Sequence, residues 1–330
     1  MHYIFLLNHF AEKKRLGATV TAIYELKERL GDNVHIHETE YAGHAGALSV
    51  QYADLYESDA IIFSCGGDGT AHEVANAIAF RRTAMCVIPM GTGNDFARCV
   101  LSPKLYANPQ EILRYIDKLE IRPIDLIRVD SYDAVGKHLP LWSRYSINIT
   151  SFGLDTMVQS KAKRIVTAAA HWSLIRKQSY LIAVIFSLIQ GWNFKMRYSF
   201  ELADEKRSID GEKRYCLASI CNGQYYGNGF HPAPMAILDD GILEVCIADD
   251  ISRWDFIRMV SKYKKGTHIN HPKIHMYRVT SGVISSKDSH LQLSGNYEGE
   301  DFFGHQVRFE VIPKALMFAF IRDEENEPQS

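Results

Sequence analysis

Apolar residues in the first 125 positions follow two alternating spacings. Tyr3-Ile4-Phe5-Leu6-Leu7 is a short unbroken apolar run and predicts a buried strand. Over 16–30, Val20, Ile23, Tyr24, Leu26 and Leu30 recur at helical spacing before Gly31 and predict an amphipathic helix. The rhythm continues with NVHIHETE (strand), GHAGALSVQYADLY (helix), DAIIFSC (strand), HEVANAIAF (helix) and AMCVIPM (strand). Strands alternating with helices imply a parallel sheet covered by helices on its faces. After about residue 125 the pattern changes to short strand-like runs separated by turn residues, among them LIRVDSY, RYSINITSF, FKMRYSFEL, RYCLASICN, ILEVCIA and VRFEVIP. These predict an antiparallel β-sandwich, interrupted by helices at 157–192 and 252–264.

A chain of 330 residues is long for one core, so two domains are expected. The formal net charge of −2 argues against a dedicated nucleic-acid binder. Cys65, Cys86, Cys99, Cys216, Cys221 and Cys246 form no CxxC pair and read as buried thiols. No secretory signal is expected from the strand-like start. The most apolar segment, SYLIAVIFSLIQGW at 179–192, is shorter than the roughly 20 residues a spanning helix needs, and reads as a buried or interfacial helix.

Two glycine-rich turns carry the candidate chemistry. CGGDGTAHEV at 65–74 follows a strand and opens a helix. Backbone N–H groups of such a turn, with a helix N-terminus, make an anion site beyond the carboxyl end of a parallel strand. Asp68 inside the turn would repel a phosphate unless a hard cation lies between them. Thr70 and Glu73 have the spacing of a capping box. PMGTGNDFARCV at 89–100 is a second such turn after the next strand, and TEYAGHA at 39–45 a third segment at a strand end, where His44 reads as a capping or packing residue. Loops at the ends of neighbouring strands point to one site.

Together these pieces resemble the soluble bacterial diacylglycerol kinase family, whose catalytic domain is shared with sphingosine and ceramide kinases. The resemblance is carried by T-x-x-x-GHA at 39–45, GGDGTxxEVxN at 66–76, P-x-GTGNDFAR at 89–98, NITSFGLDTMV at 148–158, NGQYYGNGFHPAPMAILDDGILEV at 222–245, YEGEDF and VIPKAL. It implies an α/β nucleotide-binding domain like that of NAD kinase and phosphofructokinase at 1–127, a β-sandwich at 128–313, a return segment at 314–325 and an active site between the lobes. It also implies an ATP- and Mg²⁺-dependent kinase of a lipid hydroxyl, with diacylglycerol as the family's usual acceptor. Gly66, Gly67, Asp68, Gly69 and Thr70 match the family's nucleotide-phosphate loop; Asn8, Thr39, Thr92, Gly93 and Asn94 match its other ATP contacts. Asp95 and Asp125 match acids near the active-site metal. Asp240, with the carbonyls of Ile237 and Ile242, matches a structural Mg²⁺ site, and Glu300 matches the proton acceptor.

Two departures stand out. The turn after the first strand reads NHFAEKKRLG, keeping Asn8 but lacking the family's proline and Ser-Gly, which leaves Lys13 or Lys14 to hold the phosphate tail. The late acidic motif is Glu298-Gly299-Glu300 where the family has Asp-Gly-Glu. An alternative is therefore a weak or inactive homologue that binds lipid or nucleotide, or a kinase of another long-chain alcohol; an NAD-like acceptor is disfavoured by the GTGNDFAR block. Lys161, Lys163, Arg164, Arg176 and Lys177, with Lys262, Lys264 and Lys265, suggest reversible attachment to an anionic membrane from the cytoplasmic side. A homodimer is left open.

Overall fold

The computed structural model describes residues 1–8, 13–133, 139–154, 156–158, 160–161, 165, 187, 194–205, 207–287 and 292–322. Most of the apolar segment at 179–192, the basic residues Lys163, Arg164, Arg176 and Lys177, the end of the return segment, and the side chains of Lys13 and Lys14 lie outside these. The first lobe runs β1 (His2–Asn8), α1 (Lys13–Leu30), β2 (Val34–Thr39), α2 (His44–Tyr56), β3 (Ala60–Gly66), α3 (Asp68–Ile78), β4 (Ala84–Pro89), α4 (Asp95–Val100) and α5 (Pro103–Ala107). Its strands are parallel in the order β2-β1-β3-β4. β3 and β4 are buried along their whole length, as their unbroken apolar runs require of strands covered on both faces. The parallel register puts Asn8 beside Thr39 and Gly66 beside Pro89, so the three segments after β2, β3 and β4 emerge along one edge of the sheet.

The second lobe is antiparallel: β5 (Leu119–Tyr132), β6 (Trp142–Ser146), β7 (Ile149–Gly153), β8 (Phe194–Leu202), β9 (Ser208–Cys221), β10 (Leu243–Asp249), α6 (Arg253–Lys264), β11 (Ile274–Ser286), β12 (Leu293–Tyr297), β13 (Glu300–Gly304) and β14 (Gln306–Ile321). It packs a separate apolar core around Phe152, Phe200, Tyr215, Val245 and Phe309. β5 and β14 are long enough to serve both lobes. Their paired ends at Leu119–Ile124 and Leu316–Ile321 join the first core, where Phe318 registers against Met85 of β4. The lobes are thus joined by a continuous sheet.

Asp125 stands where β5 passes between the lobes, and it is fully buried. Its carboxylate accepts the Gly241 amide at 2.7 Å and the Lys314 amide at 2.8 Å, while its own N–H donates to Leu238 O. Burial raises its pKa, and the Lys314 and Gly241 amides act against that rise. Its partners are backbone groups of the crossover, not the strand-end loops. Asp125→Ala would leave two buried N–H donors without an acceptor, each worth about 1–3 kcal/mol. Denaturant unfolding should show a loss of about 2–4 kcal/mol, and Asp125→Asn, which keeps an acceptor, a smaller loss.

Candidate active site

The two glycine turns touch through their backbones. Met90 and Gly91 donate their amides to Gly66 O at 2.8 and 3.1 Å. A Cβ on Gly91 would stand 2.5 Å from Gly67 Cα, closer than any real contact permits. Gly91→Ala must therefore push the turns apart, at about 1–3 kcal/mol for such overpacking; a lower midpoint in denaturant unfolding is the expected result. Asn94 sits in the left-handed region (φ 52°) and closes its own turn, its Oδ1 accepting Gly91 N at 2.9 Å and its Nδ2 donating to Gly91 O at 2.7 Å. Its side chain is thereby committed to loop shape.

Asp68 is the first residue of α3, and its Oδ1 accepts the Phe96 amide at 3.0 Å, bracing one turn against the other. Thr70 does not cap α3. Its Oγ1 accepts from Asn8 Nδ2 at 2.7 Å, and Glu73 Oε1 accepts the Gly43 amide at 2.9 Å at the start of α2. The expected capping box is replaced by two contacts between segments far apart in sequence. His44, the first residue of α2, does not cap that helix but packs locally, its Nδ1 accepting the Glu40 amide at 3.1 Å and its ring stacking on Tyr41.

Asp95 links the lobes. Its two oxygens accept the amides of Gly229 at 2.7 Å and Asn228 at 2.8 Å, in a turn where Gly227, Asn228 and Gly229 have φ of 58°, 67° and 89°. Burial, and then the neighbouring Asp68, raise its pKa to about 6. Neither Asn228 nor Gly229 was singled out as a site residue; their signal was the GNG run, since consecutive positive φ values favour these residue types.

Glu298 comes from the hairpin β12–β13, where Glu298 and Gly299 (φ 47° and 89°) bridge the paired Tyr297 and Glu300. A two-residue turn with both φ positive favours Asn-Gly or Asp-Gly. A glutamate there is unusual, and a residue held in a sparsely populated conformation is a pointer to function. Glu298 is half-buried, but its carboxyl end is fixed by buried groups: Oε1 accepts Ser146 Oγ at 2.5 Å and the Asn148 amide at 2.7 Å. Burial raises its pKa to about 7, with Asp68 adding to the rise and the two hydrogen bonds opposing it. Ser146 had no role in the sequence reading, and Asn148 only a place in a motif.

Asp68, Asp95, Glu298 and parts of both glycine turns line one cavity of about 1050 Å³. Asn8, Gly67, Asp68, Gly69, Thr92 and Gly93 form one end, with Asp95 and Glu298 beside them. The other end is apolar and belongs to the second lobe, with Leu154, Leu217, Ile251, Met259 and Ile274 among its walls. The cavity thus joins a cradle of backbone amides and acids to an apolar chamber.

Comparison with known proteins agrees with this division. Residues 2–129 match the diacylglycerol kinase catalytic domain, and residues 148–320 match the YegS C-terminal NAD kinase beta sandwich-like domain. The chain belongs to the diacylglycerol kinase family. Curated relatives of this kinase include a diacylglycerol kinase of Staphylococcus epidermidis, 30% identical over 309 residues that cover 88% of this chain and 85% of the relative. A probable lipid kinase YegS-like protein of Shewanella frigidimarina is 24% identical over 77% of this chain and 74% of its own. The solved structure of a diacylglycerol kinase from Bacillus anthracis strain Sterne superimposes with a TM-score of 0.63 at 17% identity, over 98% of this kinase and 97% of that chain.

Several expected site residues of the kinase stand away from the cavity wall. Gly66, Thr70 and Asn94 shape the turns from behind, and Thr39 is buried at the end of β2. Asp125 is held at the crossover, as above. Glu300 begins β13 on the exposed side; its Oε2 accepts Tyr297 Oη at 2.8 Å and it does not line the cavity. The positive φ values at Glu298 and Gly299 separate the two glutamates, which an unbroken strand would have kept on one face, two positions apart.

The two Mg²⁺ expectations fare differently. At Asp240, Oδ1 accepts the Ile242 amide at 3.0 Å and Oδ2 lies 3.7 Å from the Arg278 guanidinium, which also meets Asp204 at 2.8 Å and Glu244 at 3.4 Å. A cationic side chain thus stands beside the carboxylate expected to take a structural ion with the Ile237 and Ile242 carbonyls. Among the described residues no cluster of three or more His, Cys, Asp or Glu side chains is placed to hold a metal. Among the cavity acids, Asp68 commits only Oδ1 to the Phe96 amide and suits a cation that takes one or two carboxylates and completes its shell with water and phosphate oxygens, as Mg²⁺ does, while Asp95 beside it already meets two amides and Arg98 at 3.6 Å.

Proposed function

We propose that this kinase transfers the γ-phosphate of ATP to a lipid hydroxyl, with diacylglycerol the acceptor and phosphatidic acid the product. The observation that carries this reading is the single cavity that runs from the glycine turns to an apolar chamber. A triphosphate suits the first end, where the Gly67–Gly69 and Thr92–Gly93 backbones can approach phosphate oxygens without side chains intervening. Acyl chain suits the second, and the hydroxyl between them would fall near Glu298.

In this reading Glu298 accepts the proton of the acceptor hydroxyl. The acceptor oxygen forms a bond to the γ-phosphorus, the bond from that phosphorus to the β–γ bridging oxygen breaks, and ADP leaves with the electron pair. Ser146 and the Asn148 amide hold one oxygen of Glu298, which fixes the carboxylate's direction. A raised pKa makes that carboxylate a better base than an ordinary glutamate near neutral pH. Asp68, with Asp95 near it, would hold Mg²⁺, which neutralises charge on the transferring phosphoryl group. The longer side chain of Glu298 counts for activity rather than against it, because its carboxylate is braced at the cavity.

The test is transfer from γ-labelled ATP to a panel of diacylglycerol, a long-chain alcohol, glycerol and NAD in mixed micelles. Label should enter the organic phase with diacylglycerol. Label confined to water-soluble products, or released only as inorganic phosphate, would overturn the reading.

A further inference from the structure

The helix α6 has two unlike faces. One face, through Phe256, Met259, Val260 and Tyr263, lines the apolar end of the cavity. The other carries Trp254 and Ile257, which are 75% and 51% exposed and lie one turn apart. Arg258 and Lys265 fall on that same side by helical spacing, and Arg253 and Lys262 flank it; all four are exposed, whereas Lys264 lies at the cavity wall with its Nζ 5.8 Å from the Phe230 ring. The only acid in the helix is Asp255, which Arg258 faces at 3.9 Å and Ser252 caps. A largely exposed tryptophan one turn from an exposed isoleucine, with four cations and one acid around them, has the composition of an interfacial helix: the indole sits at headgroup depth and the basic side chains meet lipid phosphates.

We propose that the outer face of α6 docks this kinase onto an anionic bilayer, with Trp254 and Ile257 entering the headgroup region and Arg253, Arg258, Lys262 and Lys265 facing acidic headgroups. This rests on the reading of the acceptor as a lipid. Its charge complementarity selects an anionic surface over a neutral one. Continuity selects a bilayer over a protein partner, because the same helix that carries the exposed pair also walls the apolar end of the cavity. Docking through its outer face would put only one helix thickness between the bilayer and the cavity. Among the described residues no helix is long and apolar enough to cross a membrane, so attachment through α6 is at the surface.

The test uses the full chain and vesicles of equal parts phosphatidylcholine and phosphatidylglycerol, with pure phosphatidylcholine as reference. The parent should sediment with the anionic vesicles, less so as salt rises, and its tryptophan emission should shift to the blue. The double variant Trp254→Ser, Ile257→Ser should bind about tenfold more weakly. Arg258→Gln, Lys262→Gln, Lys265→Gln should bind more weakly still at low salt and lose the salt dependence. Thermal unfolding of each variant should match the parent. Parent-like binding by the double variant, equal binding to both vesicle types, or retention only by another protein would overturn the proposal. Phosphate transfer to a short-chain diacylglycerol dispersed as monomers separates the two readings. The double variant should turn over like the parent there. If neither transfers phosphate, the lipid-kinase reading fails while the vesicle result still decides the docking surface.

Discussion

Asp68→Asn should reduce phosphate transfer by about 10³-fold or more, the scale seen when a preorganised charge-stabilising group is removed. The asparagine keeps an oxygen for the Phe96 amide, so the brace between the glycine turns survives. What it lacks is the negative charge at the phosphate end of the cavity. Asp68→Ala removes both and should add a loss of about 1 kcal/mol in stability for the broken hydrogen bond. The comparison separates chemistry from scaffolding. If Asp68→Asn turned over at the parent rate at saturating Mg²⁺, Asp68 would have only the bracing role.

Glu298→Gln should lower kcat by about 10²–10⁴-fold, the usual contribution of a positioned acid or base. Its effect on stability should have the opposite sign. In the folded protein the Glu298 pKa is raised to about 7, above its unfolded value, so folding favours the protonated form. The stabilisation is complete below the unfolded value and is lost as pH rises through about 7, so at pH 8 the native cavity holds a costly charge. Glutamine is neutral at every pH and its amide oxygen can still accept from Ser146 and Asn148. The variant should match the parent near pH 4 and exceed it at pH 8 by on the order of 1–3 kcal/mol, allowing for the screening at a half-buried site. Parallel denaturant curves at the two pH values check this. For the parent, kcat/KM should fall as pH drops below about 7, because the free enzyme's base is then protonated. A flat profile from pH 6 to 8 would remove Glu298 from that role.

Local pattern made the scaffold legible. Unbroken apolar runs marked the buried parallel strands, and the glycine turns after β3 and β4 converge because parallel strands deliver their ends to one edge. The misplaced residues share a cause, which is partners distant in sequence. Thr70 and Glu73 have the spacing of a capping box, yet each is claimed by another strand-end segment, through Asn8 and Gly43. Asp125 is expected near the site metal from the family resemblance alone, and its carboxylate accepts amides 116 and 189 residues away. Asp240 reads as a cation ligand, and Arg278 from β11 stands beside it. Glu300 and Glu298 exchange places for a local reason that was visible in principle: a two-residue hairpin centred on Glu298-Gly299 turns the first glutamate out of strand alternation. The apolar chamber draws its walls from β7, β9, β10, α6 and the segments between, and no spacing rule joins side chains across so many elements.

The most direct measurement is the rate of labelled phosphate transfer from ATP to diacylglycerol in mixed micelles by the parent, Glu298→Gln and Glu300→Gln in parallel. A base braced by Ser146 and Asn148 at the cavity predicts an active parent, a Glu298→Gln variant slower by at least about 10²-fold, and a Glu300→Gln variant close to the parent. An inactive Glu300→Gln beside an active Glu298→Gln would contradict it, and would return the proton acceptor to the glutamate on the exposed side of the hairpin.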